Sequence, residues 1–190
     1  AQLYGNRWDD SNDGQTNAVV LRLEPTSESL PLSTLGEVYD QIYVDLDYAL
    51  SLFDSSEYSR SENFEIDANV AQSVYARAAI NKQDYRTAIQ YAAAARENYP
   101  LMSVEDYKAG FANPTSEWIW SSYGALDETL YFYSYFAYIG YNSTASAVRN
   151  YPKRISKELY DQIPDTDIRK DLFLNPEGFE YNENTGEAGD

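Results

Sequence analysis

The segment DANVAQSVYARAAINKQDYRTAIQYAAAARENYP, residues 67–100, decides the fold. It is rich in alanine on both sides of the polar turn Lys82-Gln83-Asp84, and Pro100 closes it because proline cannot continue a helix. Small side chains let two helix backbones approach closely. The segment therefore predicts a tight antiparallel pair of helices, the first over about residues 67–81 and the second over about residues 85–98.

The length and alanine spacing of this pair match a tetratricopeptide repeat, a unit of about 34 residues. Ala76 and Ala79 fall in the first helix, and Ala88, Ala92 and Ala95 fall at the spacing of the second. One such repeat is evident, whereas about three are needed for independent stability. We therefore expect other helices to pack on this pair, either divergent ones within residues 1–190 or helices of a longer chain.

A further helix is predicted upstream, over about residues 35–53. Thr34 followed by Glu37 is a capping-box signature. Shorter helices are expected near residues 103–111 and 156–163. A brief strand pairing is expected over residues 18–21. Irregular loops are predicted over residues 5–33 and over residues 124–151, and the second of these loops is rich in tyrosine. The predicted fold class is all-α, with tetratricopeptide-like helix pairs and long irregular aromatic loops. The buried stripe of the upstream helix recurs every three or four residues: Val38, Ile42, Leu46, Ala49 and Phe53.

The composition excludes several functional classes. The formal net charge is -17, with 31 acidic against 14 basic residues, so the chain repels nucleic acid. Cysteine and histidine are absent, which removes Cys/His zinc sites and triads built on either residue. No spacing singles out a carboxylate pair for glycoside hydrolysis. We therefore expect no catalytic residues, no cofactor and no enzymatic activity.

A metal site is also not expected. The run from Asp9 to Gly14 is similar to the start of an EF-hand loop. Val20, however, stands where that loop requires a bidentate glutamate. The calcium-binding pattern therefore fails at the ligand on which it depends most.

The order of motifs along nearly the whole chain resembles the SusD/RagB family of outer-membrane nutrient-binding lipoproteins. Each motif is weak alone, whereas the ordered set is fairly specific. The motifs that carry the resemblance are Val38 to Leu50, Ala76 to Ala92, Tyr99-Pro100-Leu101 with Tyr107, Ser116 to Trp120, and Asp167-Ile168-Arg169, preceded by Leu3-Tyr4-Gly5.

The resemblance implies a fold, a location and partners. Members are largely helical proteins anchored to the outer face of the outer membrane through an N-terminal lipidated cysteine. They pair with a SusC/RagA-like TonB-dependent transporter and present glycans or peptides to it, with the repeats contacting the transporter and the opposite loops holding the ligand. Members are several hundred residues long, so we expect residues 1–190 to be a single helical domain that forms an internal, incomplete portion of a longer chain.

Trp8 is the first candidate for ligand binding. It lies in a polar segment, and an indole ring can cover the apolar face of a sugar while neighbouring polar groups bond its hydroxyls. Asn6 and Asp9 are the polar neighbours that we assign to this role. The alternative is a tryptophan packed beneath its own loop.

A second candidate is the tyrosine-rich segment. Alternating tyrosines on an extended chain would share one face and form an aromatic platform, although packing within the loop is at least as plausible. For Trp118 and Trp120 a structural role is favoured, because large aromatic residues are mostly buried. The candidate glycan-binding residues of this segment are Tyr131, Tyr133, Tyr135, Tyr138, Asn142 and Arg149.

Two functional hypotheses follow. The first is a cell-surface glycan-binding subunit that captures oligosaccharide and passes it to a TonB-dependent outer-membrane transporter. The second is a helical-repeat scaffold that binds protein or peptide and no glycan. A glycan binder should lose affinity when loop aromatic residues such as Trp8 are replaced. A repeat scaffold should lose affinity when the helix pair is changed.

Overall fold

The computed structural model describes residues 5–111, 113–122 and 155–173, and within these ranges the chain is helical. The described helices are α1 (Leu35–Ser55), α2 (Ala68–Asn81), α3 (Tyr85–Ala95), α4 (Val104–Lys108) and α5 (Lys157–Asp161). Short 3-10 helices span Trp8–Asp10 and Ile168–Leu172. The all-α fold class is thereby confirmed.

Helix α1 begins where its capping box predicts. The Thr34 hydroxyl accepts a hydrogen bond from the Glu37 backbone N–H at 3.2 Å, and the Glu37 carboxylate accepts one from the Thr34 N–H at 2.8 Å. These bonds satisfy donors that the first turn of a helix leaves unpaired. In the predicted apolar stripe Val38 is fully buried and the other members are half-buried, and Tyr39, which lies beside the stripe, is also buried.

Helices α2 and α3 form the predicted pair, and α2 also packs on α1. Asp67 and Asp84 cap the two helices by accepting backbone N–H bonds from Val70 and Thr87. Small alanine side chains let the two helices approach closely. Ala79 of α2 is accordingly completely buried. The other alanines buried in this core are Ala71, Ala78, Ala88 and Ala95.

Helices α3, α4 and α5 end earlier than the sequence predicts. Helix α3 ends at Ala95 rather than near residue 98, because residues 96–98 form a turn before Pro100. Helix α4 ends at Lys108 rather than at residue 111, because Gly110 adopts a φ of +94° after the cap and the chain leaves the helix there. Helix α5 is shorter than predicted at both ends.

The expected strand over residues 18–21 is reduced to a brief pairing with the residues before α1. Asn17 and Thr34 form an isolated antiparallel bridge. Next to it, the Ala18 N–H donates to the Ser33 carbonyl at 2.8 Å, and the Ser33 N–H donates to the Val19 carbonyl at 2.9 Å. No strand forms in residues 5–111, so the segment before α1 is joined to residues 17–19 by a few backbone hydrogen bonds rather than by a sheet.

The chain divides into two compact units, and each is described by itself. The first comprises residues 1–102 and 113–122 and holds α1 to α3. The second comprises residues 103–112 and 123–190 and holds α4 and α5. In the second unit, Asp167 caps the 3-10 helix, and its bonds to Arg169 lower the pKa of the carboxyl to about 2. The single helical domain expected for residues 1–190 stays a prediction.

Candidate functional site

The loop that carries Trp8 is held together by its own hydrogen bonds. Ser11 is fully buried, and its hydroxyl donates to the Trp8 carbonyl at 2.6 Å and accepts from the Gly14 N–H at 2.8 Å. The next three residues, Asn12, Asp13 and Gly14, all have positive φ angles, of 51°, 55° and 80°. Asparagine, aspartate and glycine are the residues that adopt this conformation most readily, so the local sequence suits the turn.

The same loop is fixed to the N-terminus of α1. The Gly36 N–H donates to the Gly14 carbonyl at 2.8 Å, and the Leu35 N–H donates to the Thr16 carbonyl at 2.8 Å. A helix leaves its first N–H groups without partners, and here the loop supplies the acceptors. Gly14 and Gly36 permit the contact, since a Cβ atom built on Gly14 would lie 2.9 Å from the Gly36 Cα.

The ring of Trp8 is half-buried against α1 and the α2–α3 turn. It meets the buried Tyr39 ring edge to face, with centroids 5.7 Å apart and an angle of 79° between the rings. The Lys82 ammonium lies 5.6 Å from the Trp8 ring centroid. The protein therefore contacts the ring from two sides, and Trp8 as a residue is neither fully buried nor fully exposed.

Lys82 joins this ring to a second aromatic group. Its Nζ atom lies 4.7 Å from the Tyr43 ring centroid and 2.8 Å from an Asp40 carboxylate oxygen. Burial, and the nearby Asp84 carboxylate 3.5 Å from its hydroxyl, raise the pKa of Tyr43 to about 12. The surroundings therefore stabilise the neutral form of the Tyr43 phenol.

Exposed polar groups flank Trp8. Asn6 and Asp9 are exposed, as the predicted ligand-binding role requires. Arg7 and Asp10 form an exposed ion pair at 2.9 Å, and this pairing raises the pKa of Arg7. Amide, carboxylate and guanidinium groups on the residues next to a half-buried tryptophan have the chemistry needed to bond the hydroxyls of a stacked sugar. The structure brings Trp8, Asn6 and Asp9 together, and their binding role stays a prediction.

The candidate residues of the tyrosine-rich segment lie outside the described part of the chain. They are Tyr131, Tyr133, Tyr135, Tyr138, Asn142 and Arg149.

The structure shows two features that the sequence did not. Lys82 approaches Trp8 although the two are far apart in the chain, so nothing in the local sequence could indicate the contact. Trp120 was expected to be buried but is 53% exposed. Its Nε1–H donates to the Phe64 carbonyl at 3.1 Å, which satisfies the polar edge of the ring while much of the ring stays in solvent. Trp118 is half-buried.

The described residues lack two further features, a cluster of metal ligands and a membrane-spanning helix. Among the described residues, acidic side chains nowhere converge in a group of three or more that could hold a metal ion. Within residues 5–111, 113–122 and 155–173, no helix combines the length and apolar character needed to cross a bilayer.

The comparison with solved structures identifies the fold. A SusD-like carbohydrate binding protein from Bacteroides vulgatus ATCC 8482 superposes with a TM-score of 0.71 and 26% sequence identity over 94% of this chain. This chain has a SusD-like fold. A SusD superfamily protein from Bacteroides thetaiotaomicron VPI-5482 superposes with a TM-score of 0.58 and 25% identity over 66% of this chain. The resemblance noted from the sequence motifs is therefore confirmed.

The SusD-like chain spans only part of those structures. It covers 36% of the Bacteroides vulgatus protein and 28% of the Bacteroides thetaiotaomicron protein. No protein-family model matches the sequence, and no curated protein is significantly similar to it.

Proposed function

We propose that this SusD-like chain belongs to a non-catalytic, cell-surface glycan-binding subunit, in which Trp8 forms part of the sugar-binding surface. The observation that carries the proposal is structural similarity over 94% of the chain to a protein described as carbohydrate binding. The half-buried Trp8 next to the exposed Asn6 and Asp9 supplies the aromatic and polar groups that sugar binding requires.

The mechanism of capture is stacking combined with hydroxyl hydrogen bonds. The accessible part of the Trp8 ring covers the C–H face of a pyranose, and Asn6 and Asp9 bond its hydroxyl groups. Because the loop is already fixed on α1 by backbone hydrogen bonds, little ordering is needed when the ligand arrives. Sugar binding of this kind is weak, and we expect a Kd of roughly micromolar to millimolar.

The proposal extends to a partner and a location. The family resemblance implies that the captured oligosaccharide passes to a SusC/RagA-like TonB-dependent transporter. It also implies a lipid anchor at the outer surface of the outer membrane. Both properties would belong to the whole protein, of whose solved relatives this chain spans 36% and 28%.

Exposed apolar side chains favour a second candidate function, a helical scaffold that binds protein or peptide. Val44, Tyr48 and Leu52 recur every four residues on α1 and are all at least half exposed. On α3, Tyr85 and Ile89 are also exposed. Apolar side chains aligned on one helix face are typical of surfaces that bind another protein segment.

Binding of glycans to the intact protein separates the two functions. We expect an array of oligosaccharides to give specific binding to the wild-type protein and at least about tenfold weaker binding to Trp8→Ala, because an aromatic ring at a binding hot spot contributes strongly. The matched control is Ile89→Ser on α3, which should retain glycan affinity. Binding to peptides alone, or loss of binding in Ile89→Ser but not in Trp8→Ala, would favour the scaffold.

A further inference from the structure

We propose that Lys82 is a positioning residue for sugar capture, in that its ammonium holds the Trp8 ring in place and ties the ligand-binding loop to the helical repeat. This inference rests on the proposed function of Trp8. Lys82 itself is not expected to touch the glycan.

The backbone around Lys82 is fixed, so its side chain starts from a defined position. Lys82 caps α2, and its N–H donates to the Ala78 carbonyl at 3.0 Å, while the Gln83 N–H donates to the Ile80 carbonyl at 3.2 Å. Gln83 turns the chain with a φ of 60°, and the Asp84 N–H then donates to the Ala79 carbonyl at 2.9 Å. The turn is thus bonded directly to the last residues of α2.

The Lys82 side chain lies against the first unit rather than in solvent. It is 20% exposed, and its ammonium lies near the Trp8 ring, the Tyr43 ring and the Asp40 carboxylate. A cation above an aromatic ring is attracted by the electron density of the ring face, and the attraction strengthens as water is excluded. Asp40 is 72% exposed, so solvent weakens its attraction for the Lys82 ammonium. The Trp8 and Tyr43 rings therefore contribute much of what holds the ammonium in place.

The other contacts of Trp8 do not replace this one. Gly14 lies against the far edge of the indole, where a built Cβ atom would be 2.8 Å from the Trp8 Cη2 atom, and Tyr39 meets the ring edge to face. Gly14 belongs to the loop that carries Trp8, and Tyr39 belongs to α1. Lys82 is the described contact that connects the ring to the α2–α3 turn.

The test measures the position of Trp8 and the affinity for glycan separately. Residues 1–190 contain three tryptophans, so replacing Trp118, Trp120 and any tryptophan outside these residues by Phe in the intact protein leaves Trp8 as the source of indole fluorescence. In this background, Lys82→Met removes the charge and keeps the length of the side chain, whereas Lys82→Arg restores the cation. The matched control is Lys108→Met, which removes a lysine paired with Asp171 in the second unit.

We expect Lys82→Met to increase acrylamide quenching of Trp8 and to weaken glycan binding about two- to tenfold, the range that loss of a cation–π contact allows. Lys82→Arg and Lys108→Met should retain both properties. Lys82→Gln provides a second uncharged variant if Lys82→Met does not fold, as judged by circular dichroism.

Unchanged quenching in the uncharged variants would overturn the proposal, and so would increased quenching with unchanged affinity. Failure of the proposed function looks different, because Trp8→Ala would then bind glycan as tightly as the wild-type protein. Quenching would still show in that case whether Lys82 holds the ring.

Discussion

At the scale of single residues, Gly14 is the position where the fold leaves no room for a side chain. It has a φ of +80°, and a Cβ atom there would lie 2.8 Å from Trp8 and 2.9 Å from Gly36. The positive φ angle disfavours any residue with a Cβ atom, and the close neighbours leave no space for that atom. Both act on the loop that carries the candidate site.

Substitution of Gly14 by Ala should destabilise the first unit by about 1–3 kcal/mol, because a left-handed residue gains a Cβ atom and the neighbouring atoms must move. Urea denaturation monitored by circular dichroism measures the change. The altered position of Trp8 should also shift its fluorescence.

Gly110→Ala is the matched control, because Gly110 has a φ of +94° with no atom within 4 Å of a built Cβ. It should show the conformational penalty alone, about 1 kcal/mol, with no change in Trp8 fluorescence. Equal losses in the two variants would mean that the close contact at Gly14 contributes nothing.

The sequence predicts Trp8, Asn6 and Asp9 as glycan-binding residues from their types and spacing, and this stays a prediction, but the sequence does not indicate which residues pack against Trp8. Tyr39 and Lys82 reach Trp8 from α1 and from the α2–α3 turn, and such contacts arise only when the helices pack. Local composition also gave the wrong burial for Trp120, because a hydrogen bond at its edge lets the ring stay exposed.

At the scale of secondary-structure elements, small residues determine how closely α2 and α3 approach. Ala79 is fully buried in α2, whereas Ala93 on α3 faces solvent. The two positions have the same side chain and differ in their surroundings. They therefore separate the effect of packing from that of helix propensity.

We expect Ala79→Leu to destabilise the protein by about 1–3 kcal/mol or more, because added methyl groups force apart a well-packed interface. Ala93→Leu should change stability by less than about 0.5 kcal/mol, since leucine and alanine are both good helix formers and the site is exposed. Thermal and urea unfolding give both values. A tolerated leucine at Ala79 would contradict the close packing of the helix pair.

Three tyrosine rings, one each from α1, α2 and α3, contact one another in sequence and make the stability of the fold depend on pH. The Tyr43 and Tyr75 rings lie 4.8 Å apart, and the Tyr75 and Tyr91 rings stack at 3.9 Å. Burial, followed by a hydrogen bond and charge repulsion from Asp47, raises the pKa of Tyr75, and burial likewise raises that of Tyr91. The phenols are therefore stabilised in their neutral form.

Stability should fall as the pH rises from about 10 to about 12, because the folded pKa of Tyr43 is about 12 while the unfolded value is 10.0. The unfolded chain releases its proton first, so the stabilisation is complete below about pH 10 and is lost above it. Tyr43→Phe should show a smaller loss over this range in urea unfolding. Identical pH dependence in the two proteins would contradict the assignment.

At the scale of the whole molecule, the sequence predicted the helical architecture well and its boundaries less well. Capping residues Thr34, Asp67 and Ser103 act locally, so the helix starts could be read directly. The helix ends depend on turn geometry, and Gly110 stopped α4 earlier than the pattern suggested. The ordered motifs indicated the fold, which the solved SusD-like structures confirmed.

The helices and the Trp8 loop also depend on different features of the sequence. Helices α1 to α3 need small or apolar residues at regular spacing, which any reader of the sequence can find. The Trp8 loop needs particular backbone angles and contacts with distant helices, which depend on the assembled first unit. The sugar recognition that we propose therefore lies on the part of the first unit that regular sequence patterns describe least.

A crystal structure of the intact protein with a bound oligosaccharide tests glycan capture by Trp8 most directly. We expect a sugar ring within about 4 Å of the accessible part of the Trp8 ring, with hydroxyls bonded by Asn6 or Asp9 and Lys82 still beside the indole. An oligosaccharide bound elsewhere, with the Trp8 ring covered by other parts of the protein, would contradict it.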